Sequence, residues 1–143
     1  MPIPARASPE KDLSMRTLHD HIASPSEQLT IAVTDEPGAG GANHRYEIGG
    51  FDLSKNISFY GSHPPPHIDV IFQNGPIAEH GVNGITQEVL LAIVADRLRS
   101  FQAGPYSCKE NAVALTHIET AMLWLHKRTL DRMQRGVEGT SQK

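Results

Sequence analysis

The stretch from His126 to Thr140, HKRTLDRMQRGVEGT, places Arg128, Arg132 and Arg135 four and three residues apart, with only Asp131 breaking the run of positive charge. On a helix that spacing gathers the three guanidiniums on one side. Guanidinium forks match phosphate and carboxylate geometry, so the chemistry on offer is anion binding. Two readings stand: a solvated helix end, or a face that awaits an anion. Upstream on the same helix, Leu115, Ile118, Met122 and Leu125 recur at 3-4-3 spacing, the signature of a packing seam. The seam's register runs back to Asn111 and forward to Thr129 and Arg132. Asn111 and Arg128 lie about 17 positions apart, roughly 25 Å along an α-helix, so a small ligand cannot touch both within one chain. Two copies packed antiparallel about a twofold axis would bring Asn111 of one chain beside Arg128 and Arg132 of the other, next to a helix N-terminus. That constellation suits a phosphate or pyrophosphate. Phe101, ten residues before Asn111 and across a Gly-Pro turn, either packs in the core or stacks on a base, which is worth on the order of 1–3 kcal/mol.

Catalytic chemistry is poorly served. The eight histidines are scattered and match no zinc-ligand spacing. No Ser-His-Asp signature is visible, and the Gly-rich DEPGAGGAN lacks the lysine of a phosphate-binding loop. The expectation is a protein that is not an enzyme and carries no metal and no cofactor. Cys108, the one cysteine, excludes an internal disulfide and reads as a buried, inert thiol.

Positioning these residues requires a fold. A chain of 143 residues and 15.6 kDa fits one domain. Its 38% hydrophobic and 6% aromatic content makes a lean core, which points to stability gained by association between copies. The net charge of −3 argues against a general DNA or RNA binder. No signal peptide or membrane span is apparent, so a soluble cytoplasmic protein is expected. Residues 1–28 read as a flexible tail, and residues 29–143 as a single domain. Its sheet should occupy about 29–73, from strands at Leu29 to Thr34, Asn43 to Ile48, Ile57 to Gly61 and His67 to Gln73. Helices are expected at about 86–103, capped by Thr86, and 107–135, opened by a Ser107-to-Glu110 capping box and stopped by Gly136. Leu90, Val94 and Leu98, with Ile93 and Phe101, form the apolar stripe of the first helix. The class is α+β: a small N-terminal antiparallel sheet followed by a two-helix C-terminal hairpin, assembled as a homo-oligomer.

Three segments carry a resemblance: FQNGPIAEHGVNGIT, LLAIVADRLRSFQAGPYSCKENAVALTHIE and WLHKRTLDRMQRGVEGT. They resemble the first type of phage Thoeris anti-defence sponge proteins, and the hairpin is also similar to that of the anti-CBASS sponges. The likeness runs from about Leu29 to Thr140. It implies a non-enzymatic binder that sequesters cyclic ADP-ribose isomers made by bacterial TIR proteins, with cyclic oligonucleotides at separate sites in some members. It also implies dimers able to build hexamers, and ligand contacts at Phe101, Asn111, Arg128 and Arg132. Weaker candidates are Gln102 and Arg97 at the border of that pocket, Asn83, which between Gly81 and Gly84 reads more readily as a turn residue, and His44, Arg45, Arg135 and Gly136 for a second nucleotide site. The rival reading is a helical-hairpin scaffold that binds another protein and takes no nucleotide.

Overall fold

The computed structural model describes residues 16–21 and 28–141. The chain divides into two compact units, residues 1–74 and 75–143. The first is built on a four-stranded antiparallel sheet of order β1-β2-β3-β4, made of β1 (Arg16–Leu18), β2 (Thr30–Val33), β3 (Arg45–Gly49) and β4 (Ile68–Ile71). Period-two alternation sorts its side chains. Leu18, Ile31, Ile48 and Ile68 pair across the four strands in one apolar row, and Val33, Tyr46 and Val70 in the next. Tyr46 meets Phe72 edge to face at 5.6 Å, an arrangement aromatic quadrupoles favour. Val33 is the fully buried residue of this layer. The opposite face carries Ala32, Glu47 and Asp69 in register, so it is polar where the first is greasy.

Between β2 and β3 the loop is tied by Asp35. Its carboxylate accepts from the His44 amide at 3.0 Å, and its carbonyl from the Asn43 side chain at 2.7 Å. Asp52 caps a 3-10 turn at Leu53–Lys55. The Ser54 hydroxyl and amide, both donating to it, hold this carboxyl below the ordinary carboxylate range. A depressed carboxylate lends its support at neutral pH and loses it on acidification.

The sheet departs from expectation at two places. β1 falls inside the segment read as a flexible tail; residues 1–15 and 22–27 of that segment lie outside the described residues. Three residues, RTL, are too short to show alternation, and β1 exists through pairing with β2. Conversely, Ile57 to Gly61 forms turns and bends, not a strand. Ile57 is 95% exposed and Tyr60 91% exposed, so strand-type composition here found no neighbour to pair with.

The second unit holds a single turn α1 (Ile77–His80) and the hairpin of α2 (Gln87–Gln102) and α3 (Lys109–Gln134). Thr86 caps α2, its hydroxyl accepting from the Val89 amide at 3.3 Å. α2 turns Leu91, Ala95, Leu98 and Gln102 inward, with Ala95 fully buried; Ile93, Val94 and Phe101, expected in the apolar stripe, are exposed. On α3 the seam is as expected: Asn111, Leu115, Ile118, Met122, Leu125 and Thr129 are all half-buried. The two helices pack on each other, so this seam serves the chain's own hairpin. Among the described residues, no helix is long and apolar enough to cross a membrane.

Gly50 fixes the exit from β3. It sits at φ +88°, and a Cβ there would fall 1.9 Å from the Gln28 carbonyl oxygen, whereas at Gly40 (φ +75°) a Cβ meets open space. Gly50→Ala should therefore cost about 3 kcal/mol or more, since backbone must move. Gly40→Ala should cost only about 1–2 kcal/mol, the left-handed penalty alone. Urea unfolding of the two variants checks this ranking; equal losses would contradict it.

Candidate functional site at the ends of the helical hairpin

The sequence-predicted residues fall into two groups at opposite ends of α3. At the hairpin turn stand Arg97, Phe101, Gln102 and Asn111. The Arg97 guanidinium lies over the Phe101 ring, 5.4 Å from its centroid, and Tyr106 meets the same ring edge-on at 6.5 Å. Phe101 is 38% exposed, so it is not a core residue. Gln102 acts on the turn itself: its side-chain oxygen accepts from the Cys108 amide at 3.0 Å. The helix begins one residue later than a capping box at Ser107 would place it. Cys108 is the N-cap, its sulfur accepting from the Asn111 amide at 3.4 Å. Being at the cap it is exposed, which corrects the expectation of a buried thiol.

At the far end the three arginines part ways. Arg132 is only 8% exposed and is committed to its own chain. Its Nε donates to Glu138 at 3.1 Å, and one terminal nitrogen donates to the carbonyls of Val137 and Thr140 at 2.9 and 3.0 Å. This clasp folds the RGVEGT segment back across the helix end, with Gly136 turning the chain at φ +70°. The returning segment also reaches α1, where the Ala78 amide donates to the Gly139 carbonyl at 3.0 Å. Lys127 pairs with Asp131 at 2.7 Å. Arg128 and Arg135 make no ion pair among the described residues. Together with Trp124, Lys127, Asp131 and Arg132 they line an open groove of about 650 Å³. Trp124 and Lys127 were missed by the sequence reading. Their signal was present, because 124, 127, 128, 131 and 135 are related by steps of three and four residues, the spacing of one helix side.

The remaining candidates lie elsewhere. Asn83 is exposed in the loop before α2. His44 and Arg45 belong to the sheet unit. His44 is buried beside Gly38 and Asn74, and its Nδ1 has no hydrogen-bond partner among the described residues. Arg45 donates to Thr34 at 2.7 Å and to Asp69 at 2.9 Å. The structure thus brings Phe101 and Asn111 to one end of α3 and Arg128 and Arg132 to the other, roughly 25 Å away. Within one chain they do not meet.

Comparison with known proteins bears on what this arrangement is for. Residues 64–130 match the family described as Acb2/Tad1, hairpin domain. A 74-residue stretch is also 54% identical to the protein named Thoeris anti-defense 1 from Bacillus phage SBSphiJ7, covering 52% of each chain. The resemblance to Thoeris anti-defence proteins seen in the sequence is borne out by these matches. The chain spans about half the length of the curated relative it matches.

The clasp separates two kinds of arginine on α3. Arg132→Ala strips a buried guanidinium from two carbonyls and a carboxylate, and should destabilise the protein by about 2–4 kcal/mol. Arg128→Ala removes an exposed charge with no ion pair among the described residues and should stay within about 0.5 kcal/mol of wild type. Chemical denaturation monitored by helix signal measures both. A stable Arg132→Ala protein would show that the clasp does not hold the helix end.

Proposed function

We propose that this chain is a phage anti-defence sponge that binds a small cyclic nucleotide signal without turning it over. The observation that carries the reading is the groove on α3, where Arg128 and Arg135 make no ion pair among the described residues and stand beside the flat indole of Trp124, which is 67% exposed. Unpaired guanidiniums next to an aromatic face suit a ligand with phosphates and a base. The relative's printed name, an anti-defence protein, agrees in kind. The ligand class proposed is a cyclic ADP-ribose isomer made by a TIR protein, with cyclic oligonucleotides of CBASS as a second class.

The proposed site needs two chains. In an antiparallel dimer, Phe101 and Asn111 of one protomer lie beside Arg128 and Arg132 of its partner. Phe101 stacks on the base, Asn111 and the α3 N-terminus hold polar edges, and Arg128 takes the phosphates. Arg132 works mainly through the clasp, by which it shapes the groove and adds charge to it. Three such dimers would make the proposed hexamer. The exposed Val89, Ile93, Val113 and Leu123 offer apolar area that a second copy can cover.

Those same exposed positions favour the rival reading, a scaffold hairpin that docks another protein. The two part in a thermal-shift panel of cyclic nucleotides. A sponge at 100-fold ligand excess over its Kd gains about 2.7 kcal/mol of stability, visible as a rise of several degrees in Tm. Arg128→Ala should lose that shift while melting normally in the absence of ligand. Ligand released by heating should come back intact. No shift with any member of the panel contradicts the sponge reading, and hydrolysed product contradicts its non-enzymatic character.

A further inference from the structure

The polar face of the sheet holds a cluster that the nucleotide reading leaves unused. Glu47 on β3 pairs directly with Asp69 on β4, and His67 lies two residues before Asp69, so all three project from the same face. One ligand atom from each comes within 4.8 Å of the others. His67 Nδ1 is 3.6 Å from Glu47 Oε1, and Nε2 is 3.5 Å from Asp69 Oδ1. These separations are too long for good hydrogen bonds. A cation takes one ring nitrogen, and with one ligand atom of each residue inside 4.8 Å a small rotation of the side chains lets all three converge on it.

We infer that Glu47, His67 and Asp69 form a binding site for a borderline divalent transition metal of the Zn2+ class. The donor set is one imidazole and two carboxylates, with a fourth position open to water, which suits Zn2+ better than the all-oxygen preference of Mg2+ or Ca2+. Arg45 orients the set. It donates to Asp69 Oδ2 at 2.9 Å and lies 3.7 Å from Glu47 Oε2, so it fixes the outer oxygen of Asp69 and attracts that of Glu47 electrostatically. Oε1 and Oδ1, the two left over, are those that face His67. Outer contacts of this kind fix the ligands of metal sites. Two carboxylates against one guanidinium leave net negative charge for the cation. The cluster does not depend on the hairpin site or on a second chain. Its role is to clip β3 to β4.

Calorimetric titration of ZnCl2 into the metal-stripped full chain tests the assignment. The expected result is one site per chain, with a rise in Tm on metal addition. His67→Ala should weaken it on the order of tenfold or more and abolish the Tm rise. Glu47→Gln, which preserves shape and hydrogen bonding, should weaken it likewise if His67→Ala alters the fold. His63→Ala, a histidine from the same loop outside the cluster, should titrate as wild type. A chain that takes up no Zn2+, or a wild-type titration unchanged by either cluster variant, overturns the inference.

Discussion

Helix α3 is one uninterrupted rod of 26 residues, and its length is the constraint on which the functional reading depends. At 1.5 Å per residue, its two ends cannot serve one small ligand from the same chain. Everything with binding chemistry on the hairpin nevertheless sits at those ends. The middle of the rod is spent on packing, with Leu115, Ile118, Met122 and Leu125 half-buried in the hairpin seam. A protein built this way either uses each end alone or joins them through a second copy. The antiparallel pairing proposed above is the simplest arrangement that lets both ends act on one molecule.

The clasp around Arg132 shows how a single residue type divides its labour. An arginine on the half-buried side of a helix needs partners, and Arg132 finds them in the carbonyls and carboxylate of the segment that follows. One turn earlier, Arg128 faces away from the seam and remains available. The RGVEGT segment is therefore both the stop of α3 and one support of the groove. It also ties the helix end to α1 through Ala78 and Gly139. Such a site rests on folded scaffold, which keeps the cost of ordering it low when a ligand arrives.

Much of this was legible in the residues, for physical reasons that can be named. Strands β2, β3 and β4 alternate over enough positions to declare a face, and Thr86 and Gly136 mark helix ends by chemistry any helix needs. The seam register placed Arg132 on the inward side of α3. What it could not supply was the partner, because Val137 and Thr140 return to that guanidinium only through the turn at Gly136. β1 was not readable as a strand because three residues carry no period. Ile57 to Gly61 misled because strand-type side chains there stand in water. Composition likewise suggested a buried Cys108, but its place at the cap of α3 exposes it. The Glu47–His67–Asp69 cluster matches no linear spacing, since it is assembled across a strand pair whose register the sequence does not state.

The central claim is that one ligand is held jointly by opposite ends of two α3 helices, and a mixing experiment tests it most directly. A doubly substituted Phe101→Ala/Asn111→Ala chain and an Arg128→Ala chain should each fail to bind a labelled cyclic ADP-ribose isomer. Unfolded together and refolded as an equal mixture, they should form mixed dimers in which one of two sites is intact, restoring about one quarter of wild-type capacity. Full loss of binding in the mixture, with dimers present, would contradict the shared site.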